Sequence, residues 1–217
     1  MFDVPLRRVK DTYLLSLVPL VPKFVSPNHI TFLAFLVGVL ACVSAMIPGL
    51  AFASVYFWLF NRFLDNLDGV LARARRQATD LGGFFDLLSD FVIYSCIPIS
   101  IAYGQYADHG VKWFNLSSFL AITILEATFH VNNFVLFYWA AISAKKAEGE
   151  LTSLTMKPAL IEGFESGVIF TLMFVWPQQI VVMSWMMSVG VGIGTLQRII
   201  ALASSLDNLE FRKNNKD

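Results

Sequence analysis

The 217-residue chain carries little charge of either sign, and this shortage limits the kinds of protein it can be. Only 15% of its residues are charged and 56% are hydrophobic, and its mean hydropathy is +0.62. Such a composition excludes an ordinary soluble domain and predicts an integral membrane protein. The formal net charge is zero, and no nucleic acid partner is expected.

Cysteine and histidine are also scarce, with two cysteines and three histidines in the chain. Cys42 and Cys96 lie inside apolar segments without a partner motif, so they indicate neither a disulfide framework nor a redox compartment. The histidines are scattered and make no zinc-binding pattern. The sequence also lacks internal repeats, low-complexity tracts and long linkers, and we therefore expect a single domain over residues 1–217.

Long apolar segments, by contrast, fill most of the chain. About 20 residues are needed to cross a bilayer as a helix. Six segments approach or exceed this length, and they cover roughly residues 27–47, 50–71, 81–103, 114–144, 160–176 and 180–206. The sequence therefore predicts an all-α integral membrane protein with six transmembrane helices.

The residues before the first segment predict an additional helix on the membrane surface. Apolar residues recur there at helical spacing while the charged residues point elsewhere, at Leu6, Val9, Tyr13 and Leu17. This pattern is typical of an amphipathic helix, which we place at about residues 3–18. A signal peptide is the alternative, but Pro19 and Pro22 interrupt the apolar run and no small-residue cleavage site follows.

The basic residues predict the orientation of this bundle. Thirteen of the 16 lysines and arginines precede the first segment, follow the sixth, or lie in the connections after the second and fourth. By the positive-inside rule, both termini and these connections are cytoplasmic. A bacterial inner membrane and a eukaryotic internal membrane fit this orientation equally well.

Four aspartates stand inside or at the ends of the second and third segments, where a carboxylate is costly to place. They are Asp65, Asp68, Asp86 and Asp90. Each pair is spaced by three or four residues and so shares one helix face, with Ala72 continuing the first face and Gly82 the second. Two neighbouring helices could therefore direct all four carboxylates into one gap. Such a gap suits Mg²⁺ or Mn²⁺, and two ions about 3.5–4 Å apart can promote phosphoryl transfer.

Two glycines and an arginine complete the pattern. Gly69 and Gly82 have no side chain, so a nucleotide and its phosphates could approach the helix backbones closely. Arg73 could bind phosphate through its fork of donors. In the alternative interpretation, the aspartates are solvated residues at helix ends or partners of Arg73, Arg75 and Arg76. That alternative leaves the two glycines without explanation.

The whole pattern, over residues 65–90, resembles the signature of the CDP-alcohol phosphotransferase family, the class-I CDP-alcohol phosphatidyltransferases, with every motif position filled. The resemblance implies transfer of a substituted phosphate from a CDP-linked donor to an alcohol, with release of CMP. It also implies two Mg²⁺ or Mn²⁺ ions per site and a homodimer.

The resemblance further implies roles for individual residues. The expected metal ligands are Asp65, Asp68, Asp86 and Asp90. Asp90 is also expected to deprotonate the acceptor alcohol, which makes it the catalytic residue. The expected nucleotide-binding residues are Asp68, Gly69, Ala72, Arg73 and Gly82.

The acceptor site is less clearly marked than the aspartate motif. Polar residues flank the fifth segment and the late part of the sixth, namely Lys157, Glu162, Glu165 and Arg198. They could line a polar pocket for the alcohol. Alternatively, Arg198 could pair with one of the glutamates and hold the fifth and sixth helices together.

Three functions are compatible with these residues. The favoured one is phospholipid synthesis, in which a phosphatidyl group moves from CDP-diacylglycerol to a small alcohol. A phosphotransferase of the CDP-choline or CDP-ethanolamine type, acting on diacylglycerol, would use the same motif. A divalent-cation carrier is the alternative from another class, because carboxylates inside the membrane can also bind a transported ion.

Overall fold

The computed structural model describes residues 13–147 and 163–214, and within these ranges it is all-helical. Six long helices follow one another: α1 Pro27–Ala45, α2 Ala51–Ala74, α3 Asp80–His109, α4 Leu116–Ala147, α5 Gly163–Val175 and α6 Ile180–Asn214. Short 3-10 helices lie at Val18–Leu20, Gly110–Lys112 and Pro177–Gln179. The predicted all-α fold is confirmed for this part of the chain.

Four of the helical stretches in the described ranges are long and apolar enough to cross a membrane, and they define a multi-pass membrane protein. They are Pro27–Ala45, Asp80–His109, Leu116–Ser143 and Pro177–Leu206. α2 is not among them because it contains the charged motif residues, and α5 has only 13 described residues. Six transmembrane helices therefore remain a prediction.

The predicted surface helix lies mostly outside the described residues. Its last part, residues 13–17, is helical. There Leu14 is buried against α1 and α2, whereas Tyr13, which we expected on the apolar face, is exposed.

The start of α1 is fixed by a capping box. The Ser26 side chain accepts a hydrogen bond from the backbone N–H of His29 at 3.4 Å, and the His29 ring accepts one from the backbone N–H of Ser26 at 3.3 Å. Pro27 occupies the first helical turn, where it costs no hydrogen bond. The next residues, Asn28 and Thr31, are thereby directed toward α3 and α2.

The connection from α2 to α3 is held by its own side chains. Arg75, at the end of α2, donates hydrogen bonds to the carbonyl oxygens of Val25 at 2.8 Å and Val21 at 2.5 Å. Arg76 adopts a positive φ of 55° and turns the chain away from the helix. Thr79 then caps α3 by accepting from the backbone N–H of Gly82 at 3.1 Å. These contacts fasten the segment before α1 to the motif-bearing helices.

α1 and α3 run parallel, and α1 also packs along α2. Near the middle of α1, an added Cβ on Gly38 would lie 2.9 Å from both Asn61 of α2 and Ile93 of α3. At the far end, a Cβ on Gly104 of α3 would overlap the carbonyl oxygen of Ala45. Small residues permit such close helix contacts in membrane proteins.

The aromatic core joins α2 to α5. Trp58 of α2 is fully buried and stacks on Phe174 with ring centroids 5.6 Å apart. Its indole N–H donates to Thr171 Oγ1 at 2.8 Å. The indole is therefore held by both packing and a hydrogen bond.

Candidate active site

The four aspartates meet across the gap between α2 and α3, as their spacing predicts. Asp65 and Asp68 project from α2, and Asp86 and Asp90 project from α3. The charge of Asp65 interacts with those of Asp86 and Asp90, and that of Asp68 interacts with those of Asp65 and Asp90. Four like charges at this range repel one another, so the site calls for compensating cations.

Asp68 is the most buried of the four, with 4% of its surface exposed. Thr31 of α1 donates a hydrogen bond to its Oδ2 at 2.6 Å. A neutral hydroxyl satisfies one carboxylate oxygen but leaves the charge uncompensated. α1 thus contributes a third wall to the site.

Arg62 is a site residue that our sequence analysis missed. Its Nη2 lies 2.7 Å from Asp90 Oδ1, and its Nη1 lies 3.4 Å from Asp65 Oδ2. Arg62 stands one helical turn before Asp65, outside the motif. The signal that could have found it is an arginine inside a segment predicted to cross the membrane.

The donor chemistry of the site fits Mg²⁺ or Mn²⁺, because carboxylate and hydroxyl oxygens are their preferred ligands. In the described part of the chain, however, no three histidine, cysteine or acidic side chains are gathered closely enough to hold one ion. Arg62 holds Asp65 and Asp90, and Thr31 holds Asp68.

A cavity of about 170 Å³ opens beside the aspartates, at the N-terminal ends of α1 and α3. All five predicted nucleotide-binding residues line it: Asp68, Gly69, Ala72, Arg73 and Gly82. Asp86 lines it as well, and Asn28 and Thr31 contribute from α1. The cavity therefore joins one face of the motif to the start of α1.

Gly82 has a packing role in addition to the open space that we predicted there. A Cβ at this position would lie 2.9 Å from Asn28 Oδ1 and 3.1 Å from Thr79 Oγ1. Gly82 thus lets Asn28 approach the α3 backbone. At Gly69, a Cβ would instead meet the Arg73 guanidinium at 3.3 Å.

An apolar groove adjoins this cavity between α1 and α3. It has a volume of about 460 Å³ and shares Asn28 and Thr31 with the cavity. Its remaining walls are apolar or aromatic except for one serine: Phe32, Phe35, Phe85, Leu88, Ser89 and Val92.

The acceptor candidates are only partly placed by the structure. Lys157 and Glu162 lie outside the described residues. Glu165 lies in the first turn of α5 and is partly buried. Arg198 of α6 donates to Asn132 Oδ1 of α4 at 2.6 Å, and Thr195 donates to the same oxygen at 3.1 Å. This polar cluster between α4 and α6 was not predicted.

The fold and the site together define a multi-pass membrane protein with an acidic centre between two helices. Residues 24–196 match the sequence model of the CDP-alcohol phosphatidyltransferases, and the chain belongs to this family of transferases for phosphate-containing groups. The family membership implied by the aspartate motif is therefore confirmed.

Curated relatives resemble part of the chain. The inner membrane protein YnjF of Escherichia coli is 35% identical over 117 residues, which cover 50% of this chain and 56% of YnjF. The archaetidylinositol phosphate synthase of Pyrococcus horikoshii is 33% identical over 89 residues, covering 41% of this chain and 45% of that enzyme. The chain thus spans about half the length of these two relatives.

Solved structures share the fold over most of the chain. The phosphatidylinositol phosphate synthase of Mycobacterium tuberculosis, in complex with manganese and citrate, superposes with a TM-score of 0.63 at 22% identity. That match covers 88% of this chain and 87% of the other. The same enzyme with CDP-DAG bound gives a TM-score of 0.61 at 18% identity, covering 88% and 92% of the two chains.

Proposed function

We propose that this protein is a metal-dependent phosphotransferase of phospholipid synthesis. It moves a phosphatidyl group from CDP-diacylglycerol to a small alcohol and releases CMP. The observation that carries the proposal is that the cavity of the motif and the apolar groove adjoin at the start of α1, where Asn28 and Thr31 line both. CDP-diacylglycerol has a nucleotide at one end, which would fit the cavity, and acyl chains at the other, which would fit the apolar groove.

Two Mg²⁺ or Mn²⁺ ions are the proposed cofactors, held by Asp65, Asp68, Asp86 and Asp90. When bound, such ions would neutralise charge on the donor phosphates. The solved relative that contains manganese supports the use of a divalent metal. The burial of Asp68 supports it too, because a nearby cation offsets the cost of ionising a carboxylate that is only 4% exposed.

In the proposed reaction, the residues of the aspartate motif have the roles that the family resemblance implies. Gly69, Ala72 and Gly82 leave room for the nucleotide, and Arg73 binds donor phosphate. Asp90 takes the proton from the acceptor hydroxyl. The acceptor oxygen then forms a bond to the phosphorus that bears diacylglycerol, while the bond from that phosphorus to the bridging oxygen breaks and CMP leaves.

The acceptor is expected on the side of the site that faces α5 and α6. Glu165 and Arg198 are the candidates in the described residues, and Lys157 and Glu162 are candidates outside them. Acidic side chains could accept hydrogen bonds from the hydroxyl groups of a small alcohol.

The proposal includes an arrangement in the membrane. A single domain over residues 1–217 would cross it six times, with a surface helix at about residues 3–18, and would work as a homodimer. Both termini and the active site would face the cytoplasm, because the basic residues concentrate at that end of the bundle. A CDP-linked donor would then meet the site on the side where nucleotides are made.

The test is CMP release by the purified full-length protein in detergent or nanodiscs. CDP-diacylglycerol and CDP-choline are each offered with Mg²⁺ or Mn²⁺, the first with a panel of small alcohols and the second with diacylglycerol. We expect CMP only from CDP-diacylglycerol and only with metal. CMP from CDP-choline and diacylglycerol alone would instead identify the aminoalcohol type. Mn²⁺ flux into liposomes without any CMP release would identify a carrier.

A further inference from the structure

Arg62 has four polar side-chain partners around the aspartate gap. Besides its ion pairs with Asp65 and Asp90, its Nε donates to Asn61 Oδ1 at 2.8 Å and its Nη1 donates to the Tyr94 hydroxyl at 2.6 Å. Only 18% of its side chain is exposed. Every nitrogen of the guanidinium therefore has an acceptor close by.

Two aromatic rings contact the guanidinium of Arg62. Its central carbon lies 4.7 Å from the ring centroid of Trp58 and 5.0 Å from that of Tyr94. Cation–π contacts at these distances are attractive. Trp58 is fully buried and its indole is hydrogen-bonded to Thr171 of α5. Its ring therefore holds the Arg62 side chain in place.

The neighbour of Arg62 in sequence extends this support to α1. Asn61 accepts from Arg62 and donates its own amide to the carbonyl oxygen of Ala34 at 2.7 Å. Arg62 is thus connected to α1 through Asn61, to α3 through Tyr94 and Asp90, and to α5 through Trp58. Contacts from these helices therefore meet at Arg62, beside the gap that contains the aspartates.

We propose that Arg62 is a positioning residue that fixes the carboxylates of Asp65 and Asp90 across the α2–α3 gap and orients Asp90 for the acceptor. Arg62 contacts Oδ1 of Asp90 at 2.7 Å and so fixes one carboxylate oxygen of the proposed base. The inference rests on the proposed phosphotransfer function, in which Asp90 is the base. It adds to the aspartate motif a residue that the motif does not contain.

The positive charge of Arg62 gives the proposal a distinctive consequence. A cation bound by Asp65 must approach a guanidinium that already lies 3.4 Å from the same carboxylate, and like charges oppose each other. Removing the charge should therefore favour Mn²⁺ binding, while removing the orientation of Asp90 should slow the reaction. A residue that only stabilised the fold would weaken both.

The experiment compares Arg62→Gln with the wild type in two separate measurements on the full-length protein. Binding of Mn²⁺ alone, without nucleotide, is followed by the electron paramagnetic resonance of the free ion. Turnover is followed by CMP release at saturating donor. Arg76→Gln is the matched control, since it removes an exposed arginine just beyond the end of the same helix.

We expect Arg62→Gln to bind Mn²⁺ roughly threefold more tightly or better. We also expect its kcat to fall by roughly 10-fold or more, because a misplaced catalytic group costs rate even when substrates still bind. The KM for the donor should change little, and Arg76→Gln should match the wild type in both measurements. Weaker Mn²⁺ binding together with lower thermal stability, or an unchanged kcat, would overturn the proposal.

Tyr94→Phe keeps the test valid if Arg62→Gln does not fold. This variant retains the ring under the guanidinium and removes only the hydroxyl that accepts from Arg62. We expect a lower kcat with unchanged Mn²⁺ binding, and a full wild-type kcat would count against the positioning role. If the wild type itself released no CMP, the proposed function would be wrong. The Mn²⁺ measurement on Arg62→Gln would still test whether the charge of Arg62 opposes a cation beside Asp65.

Discussion

The aspartate site between α2 and α3 and the polar cluster between α4 and α6 differ in how their residues come together. In the first, spacings of three and four residues place each pair of aspartates on one face of one helix. In the second, Asn132 meets Thr195 and Arg198 from more than 60 residues away along the chain. The first is set by helix geometry, and the second only by how α4 and α6 pack. The aspartate pairs can therefore be predicted from local spacing, whereas the polar cluster between α4 and α6 cannot.

The largest effect should follow from Asp68→Ala. Asp68 is the most buried carboxylate of the motif and the one held by Thr31, so its loss removes a proposed metal ligand that nearby residues cannot replace. We expect CMP release to fall to background while the protein still folds and inserts. Asp108→Ala, at the other end of α3, is the control and should retain activity. Normal turnover by Asp68→Ala at limiting Mn²⁺ would remove Asp68 from the ligand set.

Asp90→Asn should have the next largest effect. The amide keeps the shape of the side chain but cannot take a proton, so turnover should fall by ~10²-fold or more. Nucleotide binding in the presence of metal should survive in part, and isothermal titration with CDP-diacylglycerol would measure it. Normal turnover by this variant would show that another group is the base.

A moderate effect should follow from Gly82→Ala. This variant tests whether Gly82 is needed for the close approach of Asn28 or only leaves space for the nucleotide. The added Cβ would meet the side chains of Asn28 and Thr79 at 2.9 and 3.1 Å, so the Asn28 side chain, which lines the cavity, must shift. We expect a raised KM for the donor, measured by CMP release. Gly83→Ala is the matched control, because a Cβ there meets nothing within 4 Å. Equal behaviour of the two variants would refute the packing role of Gly82.

The smallest effect should follow from Arg198→Gln, which tests the acceptor end. If Arg198 contacts the alcohol, the acceptor concentration for half-maximal rate should rise while donor dependence stays unchanged. If Arg198 only joins α6 to Asn132 of α4, the variant should lose thermal stability and keep both dependences. A thermal melt and a two-substrate kinetic analysis would separate these outcomes.

The sequence predicted the helices and the aspartate gap because both depend on local regularities. Apolar length marks the helices, and intervals of three and four residues mark a helix face. It did not predict the contact of Thr31 with Asp68, or the supports of Arg62, because those depend on which helices become neighbours. Arg62 could have been noticed as a buried charge, but its partners Tyr94 and Trp58 look like ordinary apolar residues in the sequence.

The contact between Gly104 and Ala45 has a consequence for the route of the donor. α1 and α3 touch backbone to backbone at this end, and they are in contact again where Gly38 meets Ile93 and where Asn28 meets Gly82; the apolar groove lies between the last two contacts. The groove therefore lies in the half of the α1–α3 pair that carries the aspartate motif, and the Gly104 contact closes the other half. Under the proposed function, a lipid donor that binds in this groove would enter laterally from the half of the bilayer that surrounds the motif.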